Sequence, residues 1–189
     1  TILNSRTYQL SSAVNASNRL DRTNYSHSFL RPMMAEVVVD VLDDAIGVKE
    51  RFGPNDAPPD ARAIDIGSSR VNGQLSLAFR VFGRPARTTA CDCERSSDPG
   101  LTQTLFLMAD DTLVSKINQP DNRLKQLLAD HKGDSEALDE LFLATVTRPP
   151  TDQERERFLG YRAAHKDRRA AFADALWALV NTREFRLNH

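Results

Sequence analysis

Residues equipped for chemistry concentrate between positions 82 and 95. Phe82-Gly83-Arg84-Pro85-Ala86-Arg87 runs on to Cys91-Asp92-Cys93-Glu94-Arg95, setting both cysteines of the chain one residue apart among two acids and three arginines. The candidate functional cluster is therefore Arg84, Arg87, Cys91, Asp92, Cys93, Glu94 and Arg95. Two thiolates can give a metal two ligands, but a closed zinc site needs four. His27, His131, His165 and His189 stand at no recognised ligand spacing, so no metal is expected. Without a metal the cysteines read as small buried hydrophobes in a packed turn. The guanidinium fork meets carboxylates bidentately, so the arginines with Asp92 and Glu94 read first as an ion-pair network pinning a loop against helices. The competing reading is an anion or sugar-acid site, although carboxylates so close would neutralise much of the attraction.

Other reaction classes leave no trace. No Ser-His-Asp order, nucleophile elbow, phosphate loop or Rossmann glycine pattern is present. Cys-x-x-Cys-His, the attachment signature of c-type haem, is absent as well, so no cofactor is expected in this chain. Acids are plentiful, but nothing in the sequence pairs two across a cleft as glycoside hydrolysis requires. His131, on an apolar helical stripe, reads as a satisfied core histidine.

The 25 basic and 26 acidic side chains nearly cancel, which argues against a sequence-independent grip on nucleic acid or anionic lipid. Arg155, Arg157, Arg162, Lys166, Arg168 and Arg169 are interleaved with acids and read as a solvated helical face. No apolar run approaches the length a membrane helix needs, so no membrane insertion is expected. The chain opens Thr1-Ile2-Leu3-Asn4 and reads as a piece of a longer protein.

Positioning elements follow from the punctuation. Residues 1–31 carry Asn15, Asn18, Asp21 and Asn24 at every third position, a pattern of local backbone capping that predicts an ordered loop rather than a calcium site. A helix is predicted from Pro32 to Ala45, with Met34, Val37, Val38, Val41, Leu42 and Ala45 inward, Glu36, Asp40, Asp43 and Asp44 outward, and Gly47 as its stop. Prolines and glycines make residues 48–74 a long excursion, followed by a short apolar run from Leu75 to Phe82. From Asp98 onward the chain reads as helical. Asp98 and Pro99 start a helix with Leu101, Leu105 and Met108 on one face. Leu124, Leu127, Leu128 and His131 form a stripe closed by Gly133, and Leu138, Leu141, Phe142 and Thr145 form another stopped by Pro149-Pro150. Thr151-Asp152-Gln153-Glu154 is a capping box, and Phe172, Leu176, Leu179 and Val180 make the last stripe, with Trp177 beside it. The expected fold is all-α: an irregular helical bundle in one domain over 1–189, with a loop-rich half over 1–97 holding one long helix and a bundle half over 98–189.

Longer stretches carry a resemblance. Ser5-Arg6-Thr7-Tyr8-Gln9-Leu10-Ser11-Ser12, then Asn15, Asn18, Asp21 and Asn24-Tyr25-Ser26, Ala35-Glu36-Val37, Phe82-Gly83-Arg84-Pro85 with Arg87, and Cys91-Asp92-Cys93-Glu94-Arg95 come in order. Leu141-Phe142-Leu143-Ala144, Arg148-Pro149-Pro150-Thr151 with Glu154, Trp177-Ala178-Leu179-Val180-Asn181, and Glu184-Phe185 near Asn188-His189 complete the set. Together they resemble the C-terminal domain of unknown function of large planctomycete proteins that often also carry a cytochrome c-type domain. Pro32 and Met108-Ala109-Asp110 depart from that pattern. The resemblance implies an extracytoplasmic setting, periplasmic or secreted, with haem or carbohydrate-binding sibling domains on the same chain. It transfers no catalytic residue. In an oxidising compartment a Cys91–Cys93 disulfide becomes a third reading of the pair, strained and easily reduced.

Two functions follow. One is a non-catalytic helical module that packs on haem- or carbohydrate-related sibling domains, with carbohydrate itself a candidate partner. The other gives the Arg84–Arg95 cluster to a shared active site for redox or polysaccharide chemistry.

Overall fold

The computed structural model describes residues 1–50, 52, 61–66, 73–84 and 101–188. Arg87, Cys91, Asp92, Cys93, Glu94 and Arg95 lie outside the described residues, as do His189 and the Asp98-Pro99 helix start. What is described is all-α. Helices α1 (Ala35–Ile46), α2 (Gly73–Val81), α3 (Leu101–Ala109), α4 (Asp111–Asn118), α5 (Arg123–Asp130), α6 (Asp134–Val146), α7 (Asp152–Ala164), α8 (Arg168–Val180) and α9 (Arg183–Arg186) follow in order, with a 3₁₀ turn at Ala63–Asp65. Two-residue strands β1 (Arg31–Pro32) and β2 (Leu187–Asn188) pair antiparallel.

Helix α1 starts at Ala35, three residues later than Pro32 suggested, because Pro32 is engaged opposite Leu187. At about 100° per residue, Ala35, Val38, Val39, Leu42, Ala45 and Ile46 form one apolar face, and Glu36, Asp40 and Asp43 line its flank. The expected inside and outside are therefore partly reversed. Glu36, Asp40 and Asp43 are buried at 2%, 6% and 8% exposure, whereas Met34 is 44% exposed; only Asp44 among the four acids faces out. The Val37-Val38-Val39 run allows either frame, and packing on more than one side selects the one that buries the flank. Gly47 ends the helix as expected, left-handed at φ 76° with its N–H on the Asp43 carbonyl. A Cβ there would lie 2.8 Å from the Arg123 nitrogen, so glycine also permits the close approach of α5.

In the C-terminal half, α8 is the hub, packed on α4, α5, α6, α7 and α9. Phe172, Leu176 and Val180 of α8, Leu138 and Leu141 of α6 and Leu124 of α5 are fully buried, and Leu128 is packed against the same cluster from its edge. Phe158 of α7 meets Phe172 edge to face, ring centroids 4.8 Å apart.

Three local readings are corrected. Leu105 and Met108 are 53% and 49% exposed, because α3 turns Leu107 and Gln103 inward instead. His131 is the partly exposed C-cap of α5, and Gly133 opens α6 rather than closing α5. Most of the arginines between 155 and 169 are inter-helix clamps. Arg155 donates to Asp139 at 2.6 Å and to Ser135 Oγ at 2.5 Å. Arg168 donates to Asp134 at 2.6 Å and to the His131 carbonyl at 2.8 Å, and Arg162 lies 3.3 Å from the same Asp134.

Candidate functional site

Each buried acid of α1 fastens a different segment. Glu36 lies 3.2 Å from Arg84 Nε, both side chains nearly inaccessible. Helix α2 ends in a Schellman motif: left-handed Gly83 (φ 84°) donates to the Arg80 carbonyl, and Arg84 N–H donates to the Phe79 carbonyl at 2.7 Å. That geometry folds Arg84 back over its own helix, its guanidinium 4.4 Å above the Phe79 ring, with Nη2 donating to the Ile66 carbonyl at 2.6 Å. The Phe82-Gly83-Arg84 sequence is thus a helix stop that aims an arginine inward. Of the sequence-predicted cluster, Arg84 alone falls among the described residues. It takes part in a buried ion pair, as the first reading of the arginines anticipates, but its partner comes from α1.

Asp40 serves the 3₁₀ turn. Its two oxygens accept from the Ala63 N–H at 2.6 Å and the Ile64 N–H at 3.2 Å, satisfying backbone donors the turn cannot. Asp43 ends the series. It accepts from the Glu50 N–H at 2.6 Å and from Lys116 Nζ at 2.9 Å, and Lys116 also donates to Glu50 at 2.6 Å.

This last trio edges a cavity of about 380 Å³. Apolar side chains from α1, α2, α3 and α4 line it, including Val39, Leu42, Phe82, Phe106 and Leu113. Its volume and mixed lining suit a small-molecule site, with few polar groups on an apolar wall. Burial pushes the Asp43 carboxyl above the ordinary carboxylate value, even against the Lys116 ammonium in contact with it. Burial would lower Lys116, but hydrogen bonds to Glu50 and Asp43 and the charges behind them outweigh it and raise the ammonium above its usual value. Lys116 stays charged and holds both carboxylates, so the trio acts as a strut. Among the described residues no group of three or more His, Cys, Asp or Glu could hold a metal ion.

The sequence reading missed Glu36, Asp40, Asp43, Glu50 and Lys116. The available signal was the 36-40-43 spacing, a helical stripe of acids beside an apolar one. Lys116, 73 residues from Asp43, carried no local sign of its role.

A family model described as PSD1, protein of unknown function (DUF1553), matches residues 1–161, and the chain belongs to that family. Neither the curated proteins nor the solved structures contain a match to it.

Proposed function

We propose that this member of the PSD1 family is a non-catalytic helical module of a larger extracytoplasmic protein, docking on sibling domains related to haem or carbohydrate. The observation that carries this reading is a largely apolar strip where α3, α4 and α8 meet. Leu105, Met108 and Val114 are 53%, 49% and 39% exposed, and Met108, Val114, Ile117, Ala173 and Trp177 line a shallow groove together with Asn118 and Asp174. Exposed apolar surface gathered in one place marks an interaction face more often than scattered residues do. The buried charges of α1, meanwhile, are engaged in holding segments together. Haem in such an assembly would attach to a sibling domain, because cysteines in Cys-x-Cys spacing cannot form the attachment signature.

Carbene footprinting of the full-length protein beside the 189-residue chain tests the reading. Residues 105–117 and Trp177 should label less in the full-length protein, and Met108→Asp with Val114→Asp should restore labelling. Equal labelling of the strip in both would overturn the docking role.

A second reading, that the Arg84–Arg95 cluster serves a shared active site, is favoured by the cavity. Phe82 lines it, two residues before Arg84, the first residue of that cluster. Loss of a full-length redox or polysaccharide activity in Cys91→Ser, with the fold intact, would favour this reading over the first.

A further inference from the structure

Residues 1–30 contain no helix or strand, yet side-chain hydrogen bonds order them closely. Asn15 Oδ1 accepts from the Ser17 and Asn18 N–H groups at 2.9 and 3.1 Å. Asp21 does more. One oxygen accepts from the Thr23 and Asn24 N–H groups, and the other from the Ser26 N–H at 3.0 Å and the Ser26 hydroxyl at 2.5 Å. Inside that bracket Tyr25 is left-handed at φ 52°, a conformation a bulky aromatic residue rarely adopts. A strained residue over-determined by its neighbours is a pointer to function.

The bracket sets Tyr25 at a cleft of about 270 Å³, which Tyr8, His27, Phe29 and Arg31 also line. Tyr8 and Tyr25 are each 61% exposed, so their rings are available. Phe29 stands edge-on to both Tyr25 and His27, with centroids 6.1 and 4.9 Å away, and fixes their orientation. His27 is 9% exposed. Its Nδ1 lies 3.0 Å from the Ser28 carbonyl, which can only accept, so Nδ1 carries a hydrogen; in that tautomer Nε2 is an acceptor. That Nε2 is buried and has no hydrogen-bond partner among the described residues. A buried acceptor without a donor is costly, and His27 lines the cleft, so a small turn of its ring toward the cleft would let an occupant supply the missing donor. Arg31 adds an exposed guanidinium with no carboxylate partner among the described residues.

We propose that this cleft binds an acidic saccharide: a pyranose whose C–H face lies on a tyrosine, whose hydroxyl donates to His27 Nε2, and whose carboxylate meets the Arg31 fork. Each element follows from the lining. Exposed tyrosines offer flat apolar faces with a polar tip. Thr7 and Ser28, which also line the cleft, are hydroxyl-bearing residues. Among the described residues no carboxylate lines the cleft, so a cationic guest would find no pairing partner among them and would face Arg31. The cleft draws on residues 7–31 and shares none with α3, α4 or α8, so its occupancy is independent of the docking face.

Calorimetric titration of the 189-residue chain with trigalacturonate, neutral galactotriose and benzoate decides it. Trigalacturonate should bind saturably, with galactotriose at least about tenfold weaker and benzoate weaker still. Arg31→Gln and Tyr8→Ala should each weaken trigalacturonate about tenfold while leaving the melting temperature unchanged, since both side chains are exposed. Tyr25→Ala should do the same; were it to misfold, Tyr8→Ala and Arg31→Gln still carry the test. Absence of binding at about 10 mM trigalacturonate, or binding indifferent to both exposed variants, overturns the site. Equal affinity for galactotriose overturns the carboxylate pairing, and benzoate matching trigalacturonate overturns the saccharide.

Discussion

Helix α1 and helix α8 are both enclosed by neighbours, yet opposite means hold them. Around α8 the contacts are apolar: Ala171, Phe172, Leu176 and Val180 are completely buried, and the charged clamps on Asp134, Asp139 and Glu154 sit at the rim, partly exposed. Around α1 the flank is charged, and the groups it holds are the end of α2, a 3₁₀ turn and a loop nitrogen at Glu50. The difference follows what each helix must bind. Helices offer apolar stripes to one another, whereas loops offer backbone N–H groups, which carboxylates satisfy and leucines cannot. A helix that must hold turn and loop nitrogens therefore carries acids where a bundle helix would carry leucine.

The largest expected effect lies in the apolar region. Phe172→Ala removes a fully buried ring from beneath Arg168 and beside Phe158, and should destabilise the protein by about 3–5 kcal/mol in urea denaturation. A loss below about 1 kcal/mol would mean that the helices collapse into the space and that α8 is not the hub described.

Arg84→Met probes the charged region. Stranding Glu36 in the interior should cost up to about 3–5 kcal/mol, and Glu36→Leu added to it should recover most of that loss, because a well-packed apolar pair replaces a buried ion pair at little cost. Phe172→Ala admits no such polar-to-apolar rescue. If the double variant is as unstable as Arg84→Met, the pair is more than a fastening and the contrast between the two helices fails.

The same contrast explains which parts could be read from sequence. Leu138, Leu141, Phe142, Phe172, Leu176 and Leu179 announce themselves by local spacing, as do the Thr151 cap and the Gly47 stop, since period and punctuation are properties of neighbouring residues. The burial of Glu36 and Asp43 depends on partners 48 and 73 residues away, and a helical wheel holds no such information. Exposed acids are the commoner case, so the wheel alone turns them toward water. Leu105 and Met108 mislead for the converse reason: an apolar stripe shows that a face wants cover, not that this chain supplies it. The aromatic cleft was half visible. The Asx spacing showed an ordered loop, but not that the loop holds Tyr25 left-handed.

Thr151→Ala separates local from long-range contributions within the bundle. The Thr151 hydroxyl accepts from the Glu154 N–H, and the Glu154 carboxylate accepts from the Thr151 N–H at 2.7 Å. Removing the hydroxyl should cost about 0.5–2 kcal/mol. An unchanged urea midpoint at unchanged slope would show that Arg148, which binds Glu154 through two nitrogens at 2.9 Å, holds the turn alone.

The smallest expected effect is also the one that separates the two regions by sign. Glu154 is held down to about 2 from an ordinary 4.5, first by the hydrogen bond from Arg148 and then by the Thr151 groups, against some burial. A depressed carboxyl stabilises the fold above its unfolded value, and that contribution is lost as pH falls from 4.5 through about 2. Asp43 runs the other way. Burial raises it above 3.8, so its contribution is fully present below that value and is lost as pH rises through the folded value. The measurable quantity is the stability difference between the parent and each variant as a function of pH. For Glu154→Gln the advantage of the parent should grow with pH between about 2 and 4.5, and for Asp43→Asn it should shrink as pH rises from 3.8. Solvent screening of Glu154, whose side chain is 36% exposed, keeps its share under about 1 kcal/mol, so urea titrations at closely spaced pH values are needed to resolve it. Slopes of the same sign would mean that Lys116 and Glu50 compensate Asp43 fully, and that the charged frame of α1 is as well solvated, in effect, as the clamps at the rim of α8.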